Sequence, residues 1–183
     1  MLTWSDLEAS VDAGLLQRWP FGNGHPPVGG RALYVTPNVF SAMTQRPWPS
    51  VAGEYPHRTQ QRRTAMRMVI ERFVKGDALV AKHDLKELGS EKINARMKGF
   101  WEIRSQGPIH ETRLLGHFGR VGAFVGTSFL SHEFLNQYSD WEAQRDFCAS
   151  EWARIFGNKL PLSHPWPVLT IANHKTYTDD PHD

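Results

Sequence analysis

The sequence predicts an α+β fold, a small antiparallel sheet packed against N-terminal helices and one C-terminal helix. Three observations carry that expectation. Thr59 to Lys75 and Ser139 to Phe156 space their apolar residues by three and four, the period of a helix with one buried face. Between them, Phe100 to Arg104, Ile109 to Phe118 and Ala123 to Leu130 change to the period of strands, and the loops Ser105-Gln106-Gly107-Pro108 and Gly119-Arg120-Val121-Gly122 have hairpin length and glycine. The chain has 183 residues, 40% of them hydrophobic, enough for one domain of roughly 100 to 150 residues with additions.

The elements follow in order. Ser5 to Arg18 reads as a helix with Ser5 as N-cap, Glu8 completing a capping box, and a stripe of Leu7, Val11, Leu15 and Leu16. Pro20 to Gly30 is rich in Gly and Pro and reads as a linker, so residues 1–30 form an N-terminal helix and connector. Arg31 to Thr36 is a strand of aromatic and β-branched residues, and Pro37 starts a short helix through Met43. Arg46 to Pro56 is an irregular loop. In Thr59 to Lys75 the stripe is Met66, Val69, Ile70 and Phe73, Gly76 ends the helix, and the opposite side carries Arg58, Arg62, Arg63, Arg67 and Arg72. Leu79 to Leu88 has a weaker apolar pattern and breaks at Gly89-Ser90.

In the strand after Pro108, alternation places Thr112, Leu114, Gly116 and Phe118 on one face and Glu111, Arg113, Leu115 and His117 on the other, so one face is expected in the core and the other in water. The last helix runs from an N-cap at Ser139 with Glu142 completing its box, through a stripe of Trp141, Phe147 or Cys148, Trp152 and Ile155, to Gly157. Residues 157–183 form a Pro- and His-containing tail. The domain proper is thus expected over residues 31–156.

Composition narrows the function. Ten Phe, seven Trp and four Tyr exclude a wholly disordered chain. No run of about eighteen apolar residues and no apolar leader is seen, so a soluble, cytoplasmic protein without a membrane partner is expected. A lone Cys148 cannot form an intrachain disulfide, and the histidines show no metal-binding spacing, so neither metal nor cofactor is expected. Net charge is only +2, yet Gln45 to Arg120 holds 15 Lys and Arg against 8 Asp and Glu. A basic middle of this kind suits a phosphate-bearing partner; a solvated helix face gives the same pattern.

Strand, short helix, long helix, meander and closing helix is also the element order of the RelE/HigB toxin superfamily. The chain resembles its phage-derived branch at Lys86 and Leu88, at Gly99-Phe100-Trp101-Glu102-Ile103-Arg104, at Arg113-Leu114-Leu115 and at Phe129. The resemblance covers roughly Arg31 to Phe156 and is best from Lys86 to Leu130. It implies a RelE/ParE-like fold and an endoribonuclease of a toxin-antitoxin pair that cuts messenger RNA at the ribosome.

The residues matching family positions are Arg104 and Arg113, on adjacent strands, where a guanidinium can hold phosphate through paired hydrogen bonds. His132, just past the third strand, is placed to transfer a proton. Lys98, with Arg62, Arg63 and Arg67, forms the expected RNA-binding set. The Arg58 to Arg72 face has two other readings, solvent and an acidic antitoxin segment, and Arg104 has one, an ion pair with Glu102 or Glu111. Phe129-Leu130-Ser131-His132-Glu133 stands where the branch has Phe-x-Lys-Lys. The alternative function keeps the fold without cleavage: a phage or mobile-element protein that binds RNA, the ribosome or a host protein.

Overall fold

The computed structural model describes residues 2–19, 31–45, 48, 55–80, 83–88, 99–105, 111–137, 141–162 and 177–178. The cap of its first helix, α1 (Trp4–Asp12), is Thr3, two residues before the expected Ser5. Thr3 accepts from the Asp6 amide while Asp6 accepts from the Thr3 amide, completing the reciprocal box. Glu8 is unavailable for that role because it accepts from the Tyr34 hydroxyl at 2.7 Å and pairs with Arg18. The helix also ends earlier than expected: Gly14 takes φ +71°, and Arg18 belongs to a strand, β1 (Gln17–Arg18). The linker expected over residues 20–30 lies outside the described residues.

Strand β2 (Ala32–Val35) leads into α2 (Pro37–Thr44), which Thr36 caps, as proline at the first helical position suggests. Helix α3 (Pro56–Lys75) starts three residues before the expected Thr59, with Pro56 at its first position instead of in the loop, and ends as expected at Gly76, whose left-handed backbone lets the chain turn back on the last carbonyls. Buried Arg31 donates to two carbonyls at that same end, Phe73 O and Asp77 O, each at 3.2 Å.

Where the sequence showed only a weak pattern lie two short strands, β3 (Leu79–Val80) and β4 (Leu85–Leu88). Asp84 closes the turn between them, accepting from the Val80 amide at 2.9 Å and from Arg72 at 2.7 Å. Strands β5 (Phe100–Arg104), β6 (Thr112–Arg120) and β7 (Ala123–Ser131) make the expected meander. A short helix not anticipated, α4 (His132–Gln137), precedes α5 (Trp141–Phe156). The expected cap at Ser139 falls outside the described residues. Beyond α5, β8 (Tyr177–Thr178) pairs in parallel with β3.

The sheet is larger than expected and mixed, not purely antiparallel. Its order is β1-β2-β7-β6-β5-β4, with β2 parallel to β7 and the other pairs antiparallel. One face, with Leu33, Val35, Trp101, Ile103, Leu114 and Phe118, packs on α2 and α3. The other face is not wet. Tyr34, Ala123 and Val125 pack there with Leu7 of α1 and with Trp152 and Phe156 of α5, while Phe100 and Leu115 meet Leu135 and Cys148. Helices on both sides bury every residue of β6 except Arg120, as expected of a strand inside a three-layer arrangement. In α5 the structure chooses Cys148 for the core, and Phe147 is 46% exposed.

Candidate functional site

Three of the residues predicted for function meet at one end of this sheet. Arg104 closes β5 and lies opposite Arg113, the second residue of β6, in the strand register. Directly opposed residues share a face, here the one covered by α4 and α5. His132 follows the last residue of β7, whose Ser131 lies opposite Thr112. Ser131 accepts from the Phe134 amide at 3.1 Å, so α4 starts with His132 in its first turn. The His132 amide is fixed in turn, donating to Glu111 O at 2.7 Å.

Two carboxylates complete the group. Glu102 bridges both arginines, with one oxygen 3.5 Å from Arg104 Nε and the other 2.9 Å from Arg113 Nε. Glu111 pairs with Arg113 Nη2 and stands 3.8 Å from His132 Nδ1. Of the two partners considered for Arg104, the structure therefore selects Glu102. Neither glutamate is singled out by residue type alone. The signal for them is the alternation of opposite charges, Glu102 with Arg104 and Glu111 with Arg113, two residues apart and so on one strand face.

Exposure separates these side chains. Arg113 is 1% and Glu102 4% exposed, against 20% for Arg104 and 31% for Glu111. Burial pushes the Glu102 carboxyl up and the Arg113 guanidinium down, each opposed by the other's charge. The His132 imidazole is lowered by burial first and then by Arg113, against the upward pull of Glu111. It is thus largely neutral at pH 7, with a nitrogen able to accept a proton.

The remaining predicted residues fall elsewhere. Arg62 does not lie on the outer side of α3. It is buried, its guanidinium 4.7 Å from the Trp48 ring centre, and it reaches Thr112 Oγ1 at 3.5 Å from the other side of the sheet. Arg63 is half-buried, and exposed Arg67 pairs with Glu71 at 2.9 Å. Arg72 is held by Asp84. Lys98 lies outside the described residues. His117, on the same face as Arg113, is a core residue wedged between the rings of Phe100 and Trp152.

Among the described residues, no three His, Cys, Asp or Glu side chains gather to hold a metal ion, and no helix is long and apolar enough to cross a membrane. Compared with known proteins, the chain matches no family model, and no curated protein or solved structure is significantly similar to it.

Proposed function

We propose that this protein is a toxin-like endoribonuclease of the RelE/HigB kind, cutting messenger RNA at the ribosome by attack of the RNA's own 2′-hydroxyl. The observation that carries the reading is the meeting of Arg104, Arg113 and His132 around Glu102 and Glu111. The order of strand, short helix, long helix and meander agrees with it.

The chemistry needs a proton acceptor for the 2′-hydroxyl, positive charge near the phosphate and a proton for the departing 5′-oxygen. The 2′-oxygen bonds to phosphorus as the bond to the 5′-oxygen breaks, leaving a cyclic phosphate and a 5′-hydroxyl. His132, neutral and partly exposed, accepts or returns the proton. Arg104 is the more exposed guanidinium and contacts the phosphate. Arg113, more deeply buried, takes the same phosphate through Nη2, at the edge where Glu111 lies. Nothing in this sequence of steps requires a metal. An antitoxin protein would be the natural partner.

One observation favours the second reading, an RNA, ribosome or host-protein binder without cleavage. Arg113 is 1% exposed and engaged by two carboxylates, and the Lys pair after Phe129 is missing. The test is to induce the protein in a bacterium and map RNA 5′ ends, with Arg104→Ala and His132→Ala beside the wild type. New ends that vanish in either variant support the nuclease. Growth arrest without new ends leaves only the binder, and cleavage indifferent to both substitutions removes this site from the mechanism.

A further inference from the structure

The two carboxylates at Arg113 are not equivalent. Glu102 is almost wholly buried and divides its two oxygens between Arg104 and Arg113, so withdrawing it would take from Arg113 its buried counter-charge. Glu111 sits at the solvent edge, 31% exposed, against Arg113 Nη2. Its second neighbour is His132 at 3.8 Å, beyond hydrogen-bond range.

A carboxylate and a phosphate present a guanidinium with the same feature, oxygens spaced to accept from its N–H fork. We infer that in the free protein Glu111 occupies the seat on Arg113 that a phosphate-class oxyanion takes in the bound protein. The inference rests on the phosphate-binding role proposed above and adds how that site is kept closed. With Glu111 in place, both carboxylates are turned on the two guanidinium groups. With Glu111 swung toward solvent the cluster loses one negative charge, which a single phosphodiester restores. The guanidinium is never left bare in the interior, because one anion replaces another. A ligand must outcompete a tethered carboxylate, so weakly held anions are refused and a polyanion with further contacts is admitted.

The test compares the wild type with Glu111→Gln and with Glu142→Gln, an equal charge change at an exposed position on the first turn of α5. Affinity is measured by titration with inorganic phosphate and with a 2′-deoxy oligonucleotide, which cannot be cut through a 2′-hydroxyl. Glu111→Gln should tighten binding about tenfold or more, since charge-assisted hydrogen bonds are worth at least that factor. Glu142→Gln should change it less than about twofold, as a screened surface charge does. A gain confined to the oligonucleotide assigns the seat to nucleic-acid phosphate, and a gain with both ligands assigns it to phosphate in general. No gain, or equal gains in the two variants, overturns the inference. Glu111→Ala is the second variant should the amide disturb folding. Neither ligand is cleaved, so the outcome is independent of nuclease activity. A gain in a protein that cuts no RNA keeps the seat and removes the nuclease, and a nuclease with no gain does the reverse.

Discussion

Arg104 and Arg113 face each other across the β5–β6 ladder, and the Glu102 carboxylate lies within ion-pair distance of both. Like charges directly opposite in a sheet destabilise it, so the register at this end depends on Glu102. Glu102→Gln should lower stability by about 3 kcal/mol, because it removes the buried partner of Arg113 and leaves that guanidinium only the partly exposed Glu111. Glu111→Gln removes a partly exposed partner and should lose about 1 kcal/mol at most. Urea unfolding of the two variants measures the difference. Equal losses would mean that the two carboxylates share the work and that Glu111 is not the displaceable one.

The imidazole of His132 is held below its ordinary range by burial and by Arg113, while Glu111 pulls it up. Glu111→Gln removes the upward pull and leaves the repulsion from Arg113, so the His132 midpoint in an NMR titration should move further down. An upward or absent shift would show that the contact between His132 and Glu111 does not persist in solution.

How much of this was legible depends on whether one periodicity or several elements decide a residue's place. The stripe from Met66 to Phe73 and the strand at Phe100 were readable because each is fixed by its own spacing. Arg62 was misassigned although the spacing was there: it lies four residues before Met66, hence on the buried stripe, and its charge is accommodated against the Trp48 ring. Strand β4 is four residues long and holds a buried Glu87, which accepts from the Gly99 amide at 3.0 Å, so neither length nor polarity announced it. The second helical layer could not be read from β6 alone, because alternation of Arg113, Leu115 and His117 resembles a wet face until Leu135, Cys148 and Trp152 are brought over it. Arg104, Arg113 and His132 were each legible as candidates from the strand pattern and the resemblance, but not that they meet. The carboxylates that organise them depend on register and turn geometry.

His117 makes the fold sensitive to acid. Burial lowers its pKa to about 4, against about 6.5 in an unfolded chain. Below the latter value the unfolded chain takes up a proton that the folded one refuses. The contribution to stability is therefore complete above pH 6.5 and is lost progressively as the pH falls toward 4, by about 3 kcal/mol. His117→Phe, placed among Phe100 and Trp152, should flatten the stability profile in that window. Parallel profiles for variant and wild type, followed by chemical denaturation across the range, would show that His117 is not the titrating group.

The β6–β7 hairpin contains an irregularity between Leu115 and Gly116, and Gly116 lies close against the β7 backbone. A Cβ there would lie 2.0 Å from the Val125 carbonyl oxygen. Neither strand can yield, since β6 is flanked by β5 and β7, β7 by β2, and both faces are covered by helices. Gly116→Ala should therefore lose about 3 kcal/mol or more, the upper range for overpacking a core. Gly14→Ala is the comparison. At that position φ is +71° but nothing lies within 4 Å of the added carbon, so only the left-handed backbone is penalised, by about 1 to 2 kcal/mol. If thermal unfolding ranks Gly14→Ala as the more damaging substitution, the close approach of Gly116 to Val125 is relieved in solution.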